Sequence, residues 1–257
     1  MEREFDREIL NAIEQLLNLT RQSHQFANTL RSPRLAGNIA VRAAFKKIPD
    51  RSESDVEHSF HLQHLAKLAK LLLPKLDEQM FLNFARVHDM LEMYSENGDY
   101  NSFIASSEVL GQKAQEEIAA IDKWRQVEGA EDWLETVEIY ERLTNDDQEI
   151  QAVARANYGE AAWFAAMATR AFDKLTPDAT EIVYIENAGI GAYLEHMRTE
   201  YGICTTEELS TLMDRAKDRF KRRFSEDFPN LLPILDCLQW VLLNRVREDF
   251  NNRPVLF

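Results

Sequence analysis

Cysteine is nearly missing. Cys204 and Cys237 are the only two in 257 residues, far apart and without the spacing of a zinc site. Two lone thiols build no disulfide framework, and they predict a reducing, cytoplasmic setting. Glycine and proline are scarce too, at 8 and 7. Folds made of short strands and tight turns need more of both, so this scarcity favours long helices. Basic residues fall short of acidic ones, 30 against 44, leaving a net charge of −14. Such a surface repels nucleic-acid backbones and anionic lipid, and neither is expected as the main partner. No apolar run reaches the roughly eighteen residues that a membrane span requires. The opening MEREFDREIL lacks the apolar centre of a secretory signal.

What the sequence does have is helical period. Phe5, Ile9, Ala12, Ile13, Leu16 and Leu17 form one apolar stripe. A second helix is expected over HQFANTLR, a short one over 37–47, and others over 56–73, 79–93, 107–124 and 132–143. A long helix is expected over 146–174, ended by TPDAT with its Pro177. Three more follow, over 181–200, 206–224 and 231–244. EIVYI is the only β-like run, and it is short. The expected fold is therefore all-α: a helical domain over 1–176, and a helical extension over 177–257 packed on the same domain. The basic stretch RAKDRFKRRF, Arg215 to Phe224, reads as a solvated helix face with an amphipathic underside. The four tryptophans and the methionines Met90 and Met93 read as packing residues. Pairing of such helical faces makes a homodimer a reasonable expectation.

The histidines raise the question of chemistry. His58, His61, His64 and His88 are four of the six, and they fall in two segments, SESDVEHSFHLQHLAKLAK and ARVHDMLEMYSENGDY. A single histidine on a helix is more often a surface or hydrogen-bonded core residue than a ligand, and His24, His64 and His196 are read that way. His88-Asp89 is different. Imidazole nitrogen with carboxylate oxygen is the usual donor set for Mn, Fe, Co, Ni or Zn. Neighbours on a helix point about 100° apart, so an ion can sit at the seam between them where a helix ends. Glu92 overhangs the same place at i+4 from His88, poised to move a proton.

ESDVEHS (Glu53 to Ser59) and HDMLE (His88 to Glu92) carry a resemblance that GD (Gly98-Asp99), KAQEE (Lys113 to Glu117) and IYERLTNDDQEIQAVARAN (Ile139 to Asn157) extend. Their order and gaps resemble the HD-domain metal-dependent phosphohydrolases of the 5'-deoxynucleotidase type, over roughly Gln22 to Lys174. The resemblance implies an all-helical bundle around one divalent ion, with His58, His88 and Asp89 as ligands. It makes Glu92 the catalytic acid/base and Asp99 a substrate contact. Arg42 would meet the phosphate, with Arg51 as the alternative. The last ligand is an Asp in that family; here the matching position is Asn157, with Asp173 in AFDKL as the alternative. Two imidazoles, one carboxylate and an amide would leave a divalent ion with net positive charge and weaken its binding. The implied activity is hydrolysis of a small phosphate ester, a nucleoside or deoxynucleoside 5'-monophosphate above all. The alternative is a weakened HD scaffold that binds a nucleotide or metal and acts through a partner. A di-iron variant, with His61 or His64 as further ligands, ranks below both.

Overall fold

The computed structural model describes residues 5–30, 55–90, 121–122, 125–126 and 131–250. Ten helices make up the described architecture, and no strand occurs among these residues. In chain order they are α1 (Arg7–Leu30), α2 (Asp55–His64), α3 (Ala66–Leu72), α4 (Glu78–Val87) and α5 (Glu131–Leu143). After them come α6 (Gln148–Tyr158), α7 (Glu160–Ala188), α8 (Ile190–Tyr201), α9 (Thr206–Phe224) and α10 (Leu232–Phe250). The all-α expectation holds. The expected helix over 37–47, and most of that over 107–124, lie outside the described residues.

Helix α7 is the axis of the molecule. It packs against α1, α2, α4, α5, α6, α8, α9 and α10. Its sequence explains the position: Ala165, Ala166, Ala168, Ala171, Leu175, Ala179, Ile182 and Val183 are all buried and spread round the helix. A helix that is apolar on most sides belongs in a core, and alanine lets neighbours approach closely. Phe81 of α4 meets Phe172 of α7 edge-on at 5.8 Å, and Phe84 lies 5.7 Å from Tyr140 of α5. These contacts fix α4 between the middle of α7 and the end of α5.

The helix ends correct several sequence expectations. The segment read as one helix over 146–174 is two, broken at Gly159, whose φ of +88° suits glycine alone. Asp147 caps α6 by accepting from the Glu149 and Ile150 amides. Pro177, expected to end a helix, lies inside α7. The boundary drawn after residue 176 therefore cuts a continuous helix, and α7 stops only at Gly189, with φ +84°. EIVYI is part of α7, not a strand. The helix over 56–73 is interrupted at Leu65, while the two read at the N-terminus are one, α1. Helix α9 matches its expected limits and opens with a capping box between Thr205 and Glu208.

Candidate metal centre

The site begins at the end of α4. Asp77 caps that helix by accepting from the Met80 amide, and the helix runs to Val87. There the backbone turns, with the Met90 amide bonded to the Val87 carbonyl. His88 and Asp89 lie in this turn rather than on a regular helix. His88 Nδ1 lies 3.0 Å from the Ala85 carbonyl. A carbonyl only accepts, so Nδ1 carries the proton and Nε2 points away toward the interior.

Two carboxylates meet that Nε2. Asp89 Oδ2 is 2.8 Å away, and Asp173 Oδ1, from the middle of α7, is 3.8 Å away. The His88 side chain is 2% exposed, Asp89 19% and Asp173 14%. The second oxygen of Asp173 pairs with Lys174 Nζ at 2.8 Å. Tyr140 completes the wall, its ring edge-on to His88 with centroids 6.5 Å apart. Burial holds the Tyr140 phenol protonated, its pKa well above the ordinary range, and Asp173, Glu141 and Asp89 add to this while Arg170 opposes it.

With Nδ1 turned to the Ala85 carbonyl, Nε2 faces two carboxylates, a meeting point suited to positive charge. The donors fit a first-row divalent ion in type. The two spacings from Nε2, 2.8 and 3.8 Å, bracket the separation of about 3 Å between ligands that lie about 2.1 Å from one ion at right angles. No group of three or more His, Cys, Asp and Glu side chains among the described residues is arranged to hold a metal ion, these three included. His58 falls within α2, but its side chain lies outside the described residues. Glu92, Asp99, Arg42 and Arg51 lie outside them as well.

Asn157 is in a different place. It is exposed near the end of α6, beside a hollow lined by Arg142, Glu149, Ile150, Val153, Ala154 and Tyr158. The alternative position, Asp173, is the one that structure brings to His88 and Asp89. The count of eight from Glu149 to Asn157 runs within the continuous helix α6, and that helix carries Asn157 to its exposed side.

The other described histidines have separate settings. His61 is fully buried on α2, with Nε2 2.9 Å from Thr20 Oγ1. That hydroxyl already donates to the Leu16 carbonyl, so the imidazole donates to it. His64 is exposed and edge-on to Phe60, with centroids 4.1 Å apart, and burial and His61 lower its pKa. His196 lies between Tyr184 and Tyr201.

Against this geometry, comparison with known families is informative. The HD-domain family model matches residues 40–187, more than half of the chain. The protein belongs to the HD-domain family, a helical class whose members are in general metal-dependent phosphohydrolases. The match runs through α2 to α7 and so contains His58, His88, Asp89 and Asp173. No curated protein and no solved structure gives a significant match to the chain. No helix among the described residues is long and apolar enough to cross a membrane.

Proposed function

We propose that this protein hydrolyses a small phosphomonoester, a nucleoside or deoxynucleoside 5'-monophosphate, with one divalent metal ion. The ligands in this reading are His88, Asp89 and Asp173, joined by His58. The observation that supports it is the meeting of two carboxylates, 84 positions apart, at one buried imidazole nitrogen. A divalent ion supplies a Lewis acid for the phosphate and draws the pKa of a bound water toward about 7.

The chain's own groups prepare the site. The Ala85 carbonyl fixes the tautomer and ring orientation of His88. Lys174 holds one oxygen of Asp173 and leaves the other facing His88. Tyr140, itself packed on Phe84, lies edge-on to the buried imidazole and helps to fix its ring. In this reading Glu92 moves the proton between water and the leaving 5'-oxygen. Arg42, or Arg51 in its place, neutralises the phosphate, and Asp99 holds the sugar. Local cations are needed for that substrate, because the chain as a whole carries −14.

The scaffold alternative drew its force from the amide at position 157, and Asp173 beside His88 speaks against it. A cytoplasmic setting suits the two thiols, which are not paired with each other. The test is release of inorganic phosphate across a panel of nucleoside and deoxynucleoside 5'-monophosphates, with Mn²⁺, Co²⁺ or Zn²⁺ added. Release above background for at least one nucleotide is expected. No release with any of the three metals would defeat the reading.

A further inference from the structure

A cleft of about 540 Å³ opens between α6, α7 and α9, and none of His88, Asp89 and Asp173 lines it. Five cationic side chains face it: Arg170 and Lys174 from α7, and Arg219, Arg222 and Arg223 from α9. Three carboxylates, Asp146, Asp178 and Asp227, oppose them. This reverses the balance of a chain in which 44 acidic residues outnumber 30 basic ones. The basic run read from sequence as a solvated face supplies three of the five cations.

The charges are partly committed. Arg170 and Arg223 both donate to the Thr144 carbonyl at 2.5 Å, and both reach Asp146. Asp178 bonds with Gln239, and Lys174 pairs with Asp173 outside the cleft. Arg222 spends Nε on the Asp218 carbonyl at 3.3 Å. It stands one helical turn beyond Arg219, so the two guanidinium groups share the cleft face of α9. Arginines so placed suit phosphate oxygens, which accept paired N–H donors.

The wall between the charges is apolar, with Met167, Phe220, Phe224 and Leu235. Two donors in the wall are buried without an acceptor among the described residues, Trp163 Nε1 and Arg223 Nε. Buried donors are ordinarily satisfied, so this pair marks a place where the protein is short of acceptors. The cationic excess and the apolar wall point to one kind of occupant.

We propose that this cleft binds a polyphosphate ester with an apolar body, at a site separate from the metal centre. Arg219 and Arg222 clamp its phosphates, and the wall of Met167, Phe220 and Phe224 covers its apolar part. The volume lies within the range of small-ligand pockets. The inference stands apart from the proposed hydrolysis, since Arg219, Arg222 and the apolar wall are not among the groups assigned to that reaction.

Calorimetric titration of the full chain with ATP, tripolyphosphate and adenosine tests it. The experiment runs in chelator, so that no metal-held ligand contributes. ATP joins both chemical halves and is expected to bind more tightly than either half alone. Arg219→Gln with Arg222→Gln should weaken ATP by about tenfold or more, because both guanidinium groups that donate to its phosphates are then missing. Lys221→Gln removes a charge from the same helix outside the cleft and should leave binding unchanged. Thermal melts of all variants verify that they fold. Absence of binding by all three probes overturns the proposal, and so does an equal loss in Lys221→Gln, which would reduce the effect to general surface charge. Tripolyphosphate binding as tightly as ATP would remove the apolar wall from the site and overturn the assignment of ligand class.

Discussion

Asp173 carries two interactions with opposite demands. One oxygen pairs with Lys174, and the other faces an imidazole that itself touches Asp89. Asp173→Asn keeps the shape and removes the charge. An amide oxygen donates more weakly to a metal than a carboxylate, and its NH₂ group would turn toward Asp89 or Lys174. Titration with Mn²⁺ or Co²⁺ should show affinity lower by at least about tenfold, the scale on which groups that hold or orient a ligand act. Asn157→Asp should leave affinity unchanged, because that side chain is exposed on α6. Tighter binding in Asn157→Asp with no change in Asp173→Asn would return the last ligand to position 157. The identity of the pair His88-Asp89 could be read from the sequence, because the two are adjacent and donor type is a local property. The third member could not: its choice depends on which helix packs beside the turn that carries His88, a tertiary property. His61 shows the opposite case. Its spacing from His58 suits a ligand as well as a polar edge, and only the fold shows it bonded to Thr20.

At the scale of the helix, Pro177 is the instructive element. Proline has no N–H, so the carbonyl four residues earlier loses its helical partner. That carbonyl belongs to Asp173. Thr176 takes over: its hydroxyl donates to the Asp173 carbonyl at 3.1 Å, from a fully buried position. Hence α7 continues where sequence reading ends a helix, since that reading counts the missing donor and not its replacement. The same device bears on the site, because it secures the backbone of the residue whose carboxylate faces His88. Thr176→Val preserves volume and shape but leaves a buried carbonyl without this donor. Stability should fall by about 1–3 kcal/mol. Pro177→Ala restores a backbone N–H, so adding it to Thr176→Val should recover much of the loss. Chemical denaturation of the two single variants and the double variant measures the coupling. Additive effects would show that Thr176 is not the substitute donor. The helix expected over 181–200 begins only after Gly189, at Ile190, and ends at Gly202 with its left-handed φ of +65°; the capped α9, at its expected limits, was the element most legible from sequence.

For the whole molecule, the helices beyond the family match are part of one packed body. Helix α10 lies against α1, α7, α8 and α9, and its Leu235, Leu238, Leu242 and Val246 are buried. This packing encloses two acids of α7 one turn apart, Asp178 and Glu181. Both line a cavity of about 80 Å³ with Tyr193, Met197, Leu209 and Leu242. Opening on that cavity leaves each half-buried and still short of full hydration. Burial pushes Asp178 from 3.8 up to about 7, against a smaller pull from its Gln239 hydrogen bond. Burial, reinforced by Asp178, pushes Glu181 from 4.5 to about 8. Both folded values exceed the unfolded ones, so the folded chain keeps protons that the unfolded chain has released. The associated stability is fully present below about pH 4 and is lost as pH rises through about 7 and 8. Above that range the core must hold two like charges, in a chain already at −14. Glu181→Gln keeps the shape without the proton, and it also relieves Asp178 of a neighbouring charge. Melting temperatures followed from about pH 6 to about pH 9 should fall in the parent chain and fall less in the variant, with a gap of several degrees at the alkaline end. Parallel curves would mean that water reaches these carboxyls freely, and that the C-terminal helices do not seal this face of α7.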